Sequence, residues 1–140
     1  MAFSSPAEFR EVMDRVFTFM STDPDMGPAL REAAVPQRFE FPDVDMVVNV
    51  AQAPEVNGGQ NLRWAWTDDV EWKPEIELTM DSDVANRFFQ GRENVGMAIA
   101  RRRIRTAGNV AKALALVPVT KPVFTRYREL VEREYPHLVE

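Results

Sequence analysis

Cysteine is absent from this 140-residue chain. That absence excludes disulfide bridges, thiolate nucleophiles and cysteine-held zinc. Histidine is almost as scarce, since His137 is the only one. A nucleophile–histidine pair needs an imidazole held rigidly beside the attacking atom, and a position so near the end of the sequence argues against that role. No apolar run approaches the ~18 residues of a membrane-spanning helix. The opening MAFSSPAEF has neither a basic segment nor a long apolar one, so no secretory signal is expected and a cytoplasmic location is the default. Cations are the minority charge: 17 Lys and Arg against 22 Asp and Glu leave a net charge of −5. Nonspecific nucleic-acid binding, which runs on cations displacing phosphate counterions, is therefore not expected. Gly58-Gly59 lacks the Lys and Ser/Thr of a phosphate-binding loop and reads as a turn. Asp68, Asp69 and Glu71 offer too few ligands at the wrong spacing for a calcium site, so neither a metal nor a cofactor is expected.

What is present is apolar bulk. Hydrophobic residues make up 45% of the chain, with nine Phe, three Trp and seven Met. A chain of this length buries roughly 68–70% of its unfolded surface, so one domain with a substantial core is expected over residues 1–140. It divides into a helical segment 1–36, a sheet with core helices 37–117, and a C-terminal helix 118–140. Ser5-Pro6-Ala7-Glu8 has the form of a capping box. Behind it Phe9, Val12, Met13, Val16, Phe17 and Met20 recur at helical spacing and give a broad apolar stripe. Asp23-Pro24 and Gly27-Pro28 mark turns, and a short helix over 28–34 ends before Pro36. Strands are predicted around Phe39 and Phe41, from Val44 to Val50, and from Leu62 to Trp66, with Asn57-Gly58-Gly59 between the last two. Turn chemistry accounts for Asp43. A helix from Val110 to Val117 is expected to stop at Pro118. Thr120 or Lys121 begins a last helix that runs to about Glu134.

The stretch from Pro74 to Asn109 organises the rest. Glu75 to Met80 alternates, so Ile76, Leu78 and Met80 share a face. Asp81 or Ser82 can cap the helix that follows. On it Val84 meets Phe88, and Ala85 meets Phe89, at i, i+4. Gly91 stands where a helix C′ residue needs positive φ. Glu93 to Ala100 forms a second short helix, and the chain returns as a strand around Arg103-Ile104-Arg105-Thr106. Strand parity puts Phe39, Phe41, Met46, Val48, Trp64, Trp66, Leu78, Met80 and Ile104 on one face. Arg38, Glu40, Asp45, Arg63, Glu75, Glu77, Arg103 and Arg105 fall on the other. An antiparallel sheet with one covered and one wet face gives this alternation.

Five features together resemble the sterol carrier protein type-two family. They are Leu78-Thr79-Met80, the Phe-rich helix ending at Gln90-Gly91, the pair Glu93-Asn94, the strand holding Ile104, and Ala107-Gly108-Asn109 leading into a small-residue helix. The resemblance covers roughly Phe39 to Val117. Arg102 departs from it, standing where the family often has a small residue, and the tail after Val117 is a charged helix rather than a peroxisomal Ser-Lys-Leu ending. The resemblance implies an α+β fold: about five mostly antiparallel strands, helices covering one face, and an apolar tunnel for lipids. It implies noncatalytic carriage of a hydrophobic small molecule (a fatty acyl chain, sterol or other lipid), with transient contact to a membrane or a pathway enzyme.

The residues assigned to such a tunnel are Phe17, Met20, Met46, Val48, Trp64, Trp66, Met80, Phe88, Phe89, Met97, Arg102, Ile104, Leu114, Phe124 and Tyr127. Arg102 has the parity of Ile104, and an unpaired buried guanidinium is very costly. It either reaches water at the strand end or meets a carboxylate of the protein or of a ligand. The last helix, which carries Phe124 and Tyr127, is the expected lid. Two rival readings stay open. One is an enzyme, such as a cyclase or hydratase, acting on a bulky apolar substrate through Asp45, Arg102 or Tyr127. The other is an accessory subunit that presents such a substrate to other enzymes.

Overall fold

A computed structural model describes residues 1–140, the side chain of Asn57 excepted. Two helices come first, α1 (Pro6–Thr22) and α2 (Met26–Ala33), followed by strands β1 (Gln37–Phe41), β2 (Met46–Asn57), β3 (Gln60–Ala65) and β4 (Ile76–Met80). Then come α3 (Ser82–Phe89), α4 (Val95–Ala100), β5 (Ile104–Gly108), α5 (Val110–Thr120) and α6 (Pro122–Glu134). The strands form one sheet in the order β3-β2-β1-β4-β5. All neighbours are antiparallel except β1 and β4, which run parallel. This is the α+β architecture expected from the sequence.

Register makes the apolar face. Phe39 lies opposite Val48 on one side and Leu78 on the other, and Leu78 opposite Thr106. The next row joins Trp64, Val50, Gln37 and Ile76. The stripe of α1 packs against this face, with Phe9, Val12, Met13 and Val16 fully buried. The end of α1 is pinned by Ser21, which has no exposed surface and whose Oγ accepts from the backbone N–H groups of Asn61 and Leu62 at 3.0 Å each. The opposite face is not bare. Its Arg38 makes two bonds to Asp68, Nε to Oδ1 at 2.8 Å and Nη2 to Oδ2 at 3.0 Å, so the acidic loop after β3 folds back over the charged side.

Several local expectations change. The segment before β2 is a 3-10 turn at Pro42–Val44, and Asp45 sits in the left-handed region at φ 52°, so the strand starts at Met46. The strand also continues through Pro54, because its regular pairing with β3 breaks between Gln52 and Asn57 and a proline's missing N–H is tolerated there. Arg31 holds the freed carbonyls of Ala53 and Pro54 at 3.1 and 3.0 Å. The N-terminus of α3 is capped from a distance. Asp43 accepts from the Ser82 backbone N–H at 2.8 Å and from its hydroxyl at 2.5 Å, while Asp81 makes no side-chain cap bond. Pro118 lies inside α5 rather than ending it. Both Pro118 and Leu114, whose carbonyl loses its partner, are on the exposed side, where water replaces the lost bond.

Two tight reversals explain the family-like spacing. At the end of α3 the Gly91 N–H bonds to Phe88 and the Arg92 N–H to Arg87, with Gly91 at φ 74°. This is the Schellman pattern. The same pattern closes α4, where the Arg102 N–H bonds to Ile99 and the Arg103 N–H to Ala98. There Arg102, at φ 60°, takes the glycine-like place.

Candidate functional site

Between the sheet and the helices lies a cavity of about 120 Å³. Its floor is Gln37, Phe39 and Phe41 of β1, Val50 and Gln52 of β2, Leu62 of β3, Leu78 and Met80 of β4, and Ile104 and Thr106 of β5. Its roof is Met13, Phe17 and Met20 of α1, Phe88 and Phe89 of α3, Val95 and Ile99 of α4, and one side of α5 from Val110 to Thr120. The α6 helix contributes nothing to the lining. No Asp, Glu, Lys, Arg or His lines it among the described residues. An apolar cavity of comparable size, ~150 Å³, stays dry and takes up benzene-sized guests. The strand row at Gln37 and that at Phe41 are four residues apart, so the floor extends about 13 Å along the strands.

Of the residues assigned from sequence, the cavity gathers Phe17, Met20, Met80, Phe88, Phe89, Ile104 and Leu114. The others lie elsewhere. Val48 is fully buried and packed, and Met46 packs against the core. Trp64 and Trp66 have the right strand parity, but their indole N–H groups draw them toward α1. Both donate to Asp14 Oδ1, at 3.0 and 2.7 Å. Met97 is 43% exposed on α4. Arg102 is exposed, because the reversal after α4 turns it away before the strand begins. Among the described residues, no cation therefore lines the cavity to meet a ligand carboxylate. Phe124 meets Phe88 edge-on from behind, with ring centroids 5.5 Å apart. Tyr127 has no exposed surface and donates its hydroxyl to Asn86 Oδ1 at 2.6 Å.

The last helix is thus a wall of the core and not the lid expected from sequence. Its Val123, Tyr127, Leu130 and Val131 are buried. A polar network behind α3 ties the chain's end to it. Asn86 and Gln90, both at most 1% exposed, share the Leu138 carbonyl, at 2.9 Å from Asn86 Nδ2 and 2.7 Å from Gln90 Nε2. Gln90 Nε2 also donates to Asn86 Oδ1 at 2.9 Å. Burial, and then the charges of Glu140 and Glu8, push the Tyr127 phenol well above the usual tyrosine range. It stays a protonated donor.

Sequence reasoning passed over this network, although Asn86 and Gln90 stand at i, i+4 in line with Ser82 one turn earlier. It also passed over Gln37, Gln52 and Thr106. Their signal was plain parity. Gln37 shares its face with Phe39, and Gln52 shares its face with Val48 and Val50. Glu93, one of the resemblance residues, is structural. Burial raises its carboxyl, but bonds from Arg87 (3.0 Å) and Arg103 (2.7 and 3.0 Å) outweigh that and hold it below the ordinary carboxylate range. Asp68 is held low by Arg38 and then Asn49. Among the described residues no cluster of three or more acidic or histidine side chains could hold a metal, and no helix is long and apolar enough to cross a membrane. His137 lies 2.7 Å from Glu8 Oε1 on the surface, where the last residues meet α1.

No protein-family model and no curated protein matches the chain. Solved structures do. The ubiquinone synthesis protein UbiJ-SCP2 superposes with a TM-score of 0.61 at 10% identity, covering 84% of this chain and 96% of that one. Sterol Carrier Protein 2 from Yarrowia lipolytica, in its apo form, gives 0.53 at 14% identity over 79% and 88%. Part of the stereoselective inverting sec-alkylsulfatase Pisa1 from Pseudomonas sp. gives 0.52 at 10% identity over 63% of this chain. This chain spans only 13% of the alkylsulfatase's length. These matches assign the sterol carrier protein type-two fold.

Proposed function

We propose that this chain, built on the sterol carrier type-two fold, binds and carries a hydrophobic small molecule in the cavity between its sheet and its helices. The observation that carries the reading is a hollow of about 120 Å³ lined without one charged side chain among the described residues. Neutral walls suit a guest whose transfer from water supplies affinity at roughly 25 cal/mol per Å² of apolar surface. The rival enzyme reading needs an ionisable group aimed at the guest. Asp45 and Arg102 are exposed, and Tyr127 is engaged with Asn86 behind α3. None of them lines the cavity.

A lipid is larger than this hollow, since drug-sized sites span roughly 300–1,000 Å³. One wall must yield, and α5 is that wall. It buries only Leu116 and Thr120, and Leu114 lines the cavity while 41% exposed. Native mass spectrometry of the purified protein, followed by organic extraction, tests the reading. A stoichiometric apolar guest, or uptake of an added fatty acid or sterol together with slowed hydrogen exchange in α5, is the expected result. No bound guest and no uptake of either added lipid rejects it.

A further inference from the structure

The sheet ends in an open edge, because β5 has a neighbour only on its β4 side. The Asn109 N–H bonds to the Glu75 carbonyl at 3.0 Å, and antiparallel pairing alternates from there, so Ala107 and Arg105 turn their backbone groups toward β4. Ile104, Thr106 and Gly108 turn theirs outward, and among the described residues no helix, loop or side chain bonds to those groups. Such a row is a template for another strand. The charge beside it is one-sided. From Arg101 to Lys112 the sequence holds four Arg, one Lys and no acid, in a chain whose net charge is −5. Arg103 is held by Glu93 and Lys112 by Glu75, at 2.7 and 2.9 Å. Glu77, diagonal to Arg105 across the β4 pairing, is 3.5 Å from Arg38. Arg101, Arg102 and Arg105 are exposed, and among the described residues they pair with no carboxylate. Arg102 and Arg105 line one cleft of about 670 Å³. Two of that cleft's acids are engaged, Asp43 with Ser82 and Asp83 with the Ala2 N–H at 2.8 Å, which leaves Asp81 against two free arginines. Arg102 also holds the left-handed backbone at φ 60°, where Gly91 closes the equivalent reversal, so its side chain is kept at a conformational cost.

We propose that the β5 edge is a docking site for an extended acidic segment of a partner protein, which adds to the sheet as a further strand. Its main chain pairs with Ile104, Thr106 and Gly108, and its carboxylates meet Arg101, Arg102 and Arg105. Backbone pairing supplies affinity for any extended chain, and the arginines select among chains. Strand period two puts alternate residues of the segment on the face that carries Arg105, and those are the acidic ones. The residues between them lie on the side of Ile104 and Thr106 and are apolar. Every cation from 101 to 105 is arginine, whose fork takes a carboxylate bidentately as an ammonium does not. A second copy of this chain is a poor occupant, because pairing β5 with β5 sets arginine against arginine. That repulsion guards the bare edge against self-association and leaves it open to acid.

Docking at this edge is independent of what the cavity holds. The probe is a capped peptide of about seven residues, a common strand length, in which Asp or Glu alternates with Val, and it is titrated into the full chain. Amide hydrogen exchange at Ile104, Thr106 and Gly108 should slow on binding, while Arg105 and Ala107, already bonded to β4, change little. The same peptide with Lys at its acidic positions should bind at least ~10-fold more weakly, as should the acidic peptide with the Arg105→Glu protein, since like charges across a strand pair are unfavourable. N-methylation of one alternate set of peptide amides should abolish binding and that of the other set should leave it intact, a comparison that leaves the protein itself unaltered. No binding of the acidic peptide overturns the docking site. So does equal binding of the two N-methylated forms. Polyglutamate or polyphosphate binding as tightly, with no slowed exchange at the three amides, makes the arginines a plain anion patch and overturns it as well. A concentration-dependent dimer that protects the same amides gives the edge to a second copy and has the same consequence.

Discussion

Asn86 is the hub that fixes the wall behind the cavity, and its removal should cost far more than its size suggests. Its Oδ1 accepts from Tyr127 and Gln90, and its Nδ2 donates to the Leu138 carbonyl and to Glu140 Oε2 at 3.2 Å. In Asn86→Ala the Leu138 carbonyl keeps Gln90, and Gln90 keeps Leu138. The Tyr127 hydroxyl keeps nothing and has no exposed surface. Orphaning it costs about 1–3 kcal/mol, and each remaining lost bond about 1 kcal/mol. The sum is about 4–6 kcal/mol. Tyr127→Phe removes only the donor and leaves Asn86 Oδ1 with Gln90, so about 1 kcal/mol is expected. The double variant removes donor and acceptor together and should be about 1–2 kcal/mol more stable than the sum of the singles. Urea unfolding at constant m-value measures all three. Strict additivity, or an Asn86→Ala cost below that of Tyr127→Phe, would refute the orphaned-hydroxyl argument.

Three further outcomes are expected. Glu93 titrates below its unfolded value, so its stabilisation is complete above about pH 4.5 and is lost as pH falls through the depressed folded value. Glu93→Gln should cost about 1–3 kcal/mol at pH 7, and the gap to wild type should close in acid, as read by urea midpoints between about pH 3 and 7. Asp14→Ala strips the shared acceptor from two indoles and should cost about 2–3 kcal/mol with red-shifted tryptophan emission, whereas Asp14→Asn, which keeps an acceptor oxygen, should lose less. Gly108 sits at φ 95° with its missing Cβ position against the Glu75 carbonyl oxygen, so Gly108→Ala should cost about 2–4 kcal/mol in denaturant unfolding.

How much of this was written in the sequence depends on which residues carried it. The face of every strand was legible from period two. The αL reversal at Gly91 was legible because only glycine takes that place freely. Arg102 was left between water at the strand end and a carboxylate partner, and the structure places it in water. Parity could not decide between the two, because a charged residue occupies a glycine-like C′ site at φ 60° just before the strand. The cavity set was legible only in part. Parity tells which face Trp64 and Trp66 point from, but not that a carboxylate one layer above will draw both indoles aside. Asp43 illustrates the same limit: a residue that looks like local turn chemistry caps a helix 39 positions away. The parallel pairing of β1 with β4 also has no local mark, since it depends on where the two-strand excursion through β2 and β3 closes.

The helix that roofs the cavity connects its stability to the proposed use. A sheet face of Phe, Val, Leu and Ile closed by six helices has every reason to collapse into a solid core. Here the closing helix over the hollow is α5, whose composition is small and apolar, with Leu116 and Thr120 buried and Val110, Ala113 and Val119 half-buried against the core. Peeling α5 back exposes Leu116, worth roughly 1.5–3 kcal/mol, and the half-buried Val110, Ala113, Val117 and Val119 as well, about 4–8 kcal/mol together. A ten-carbon chain entering in its place buries methylenes at ~0.8 kcal/mol each, and eight of them contribute about 6 kcal/mol. On the proposed carrier reading, opening and the guest's transfer from water are therefore of similar size, and each further methylene of the guest tips the balance toward the occupied state.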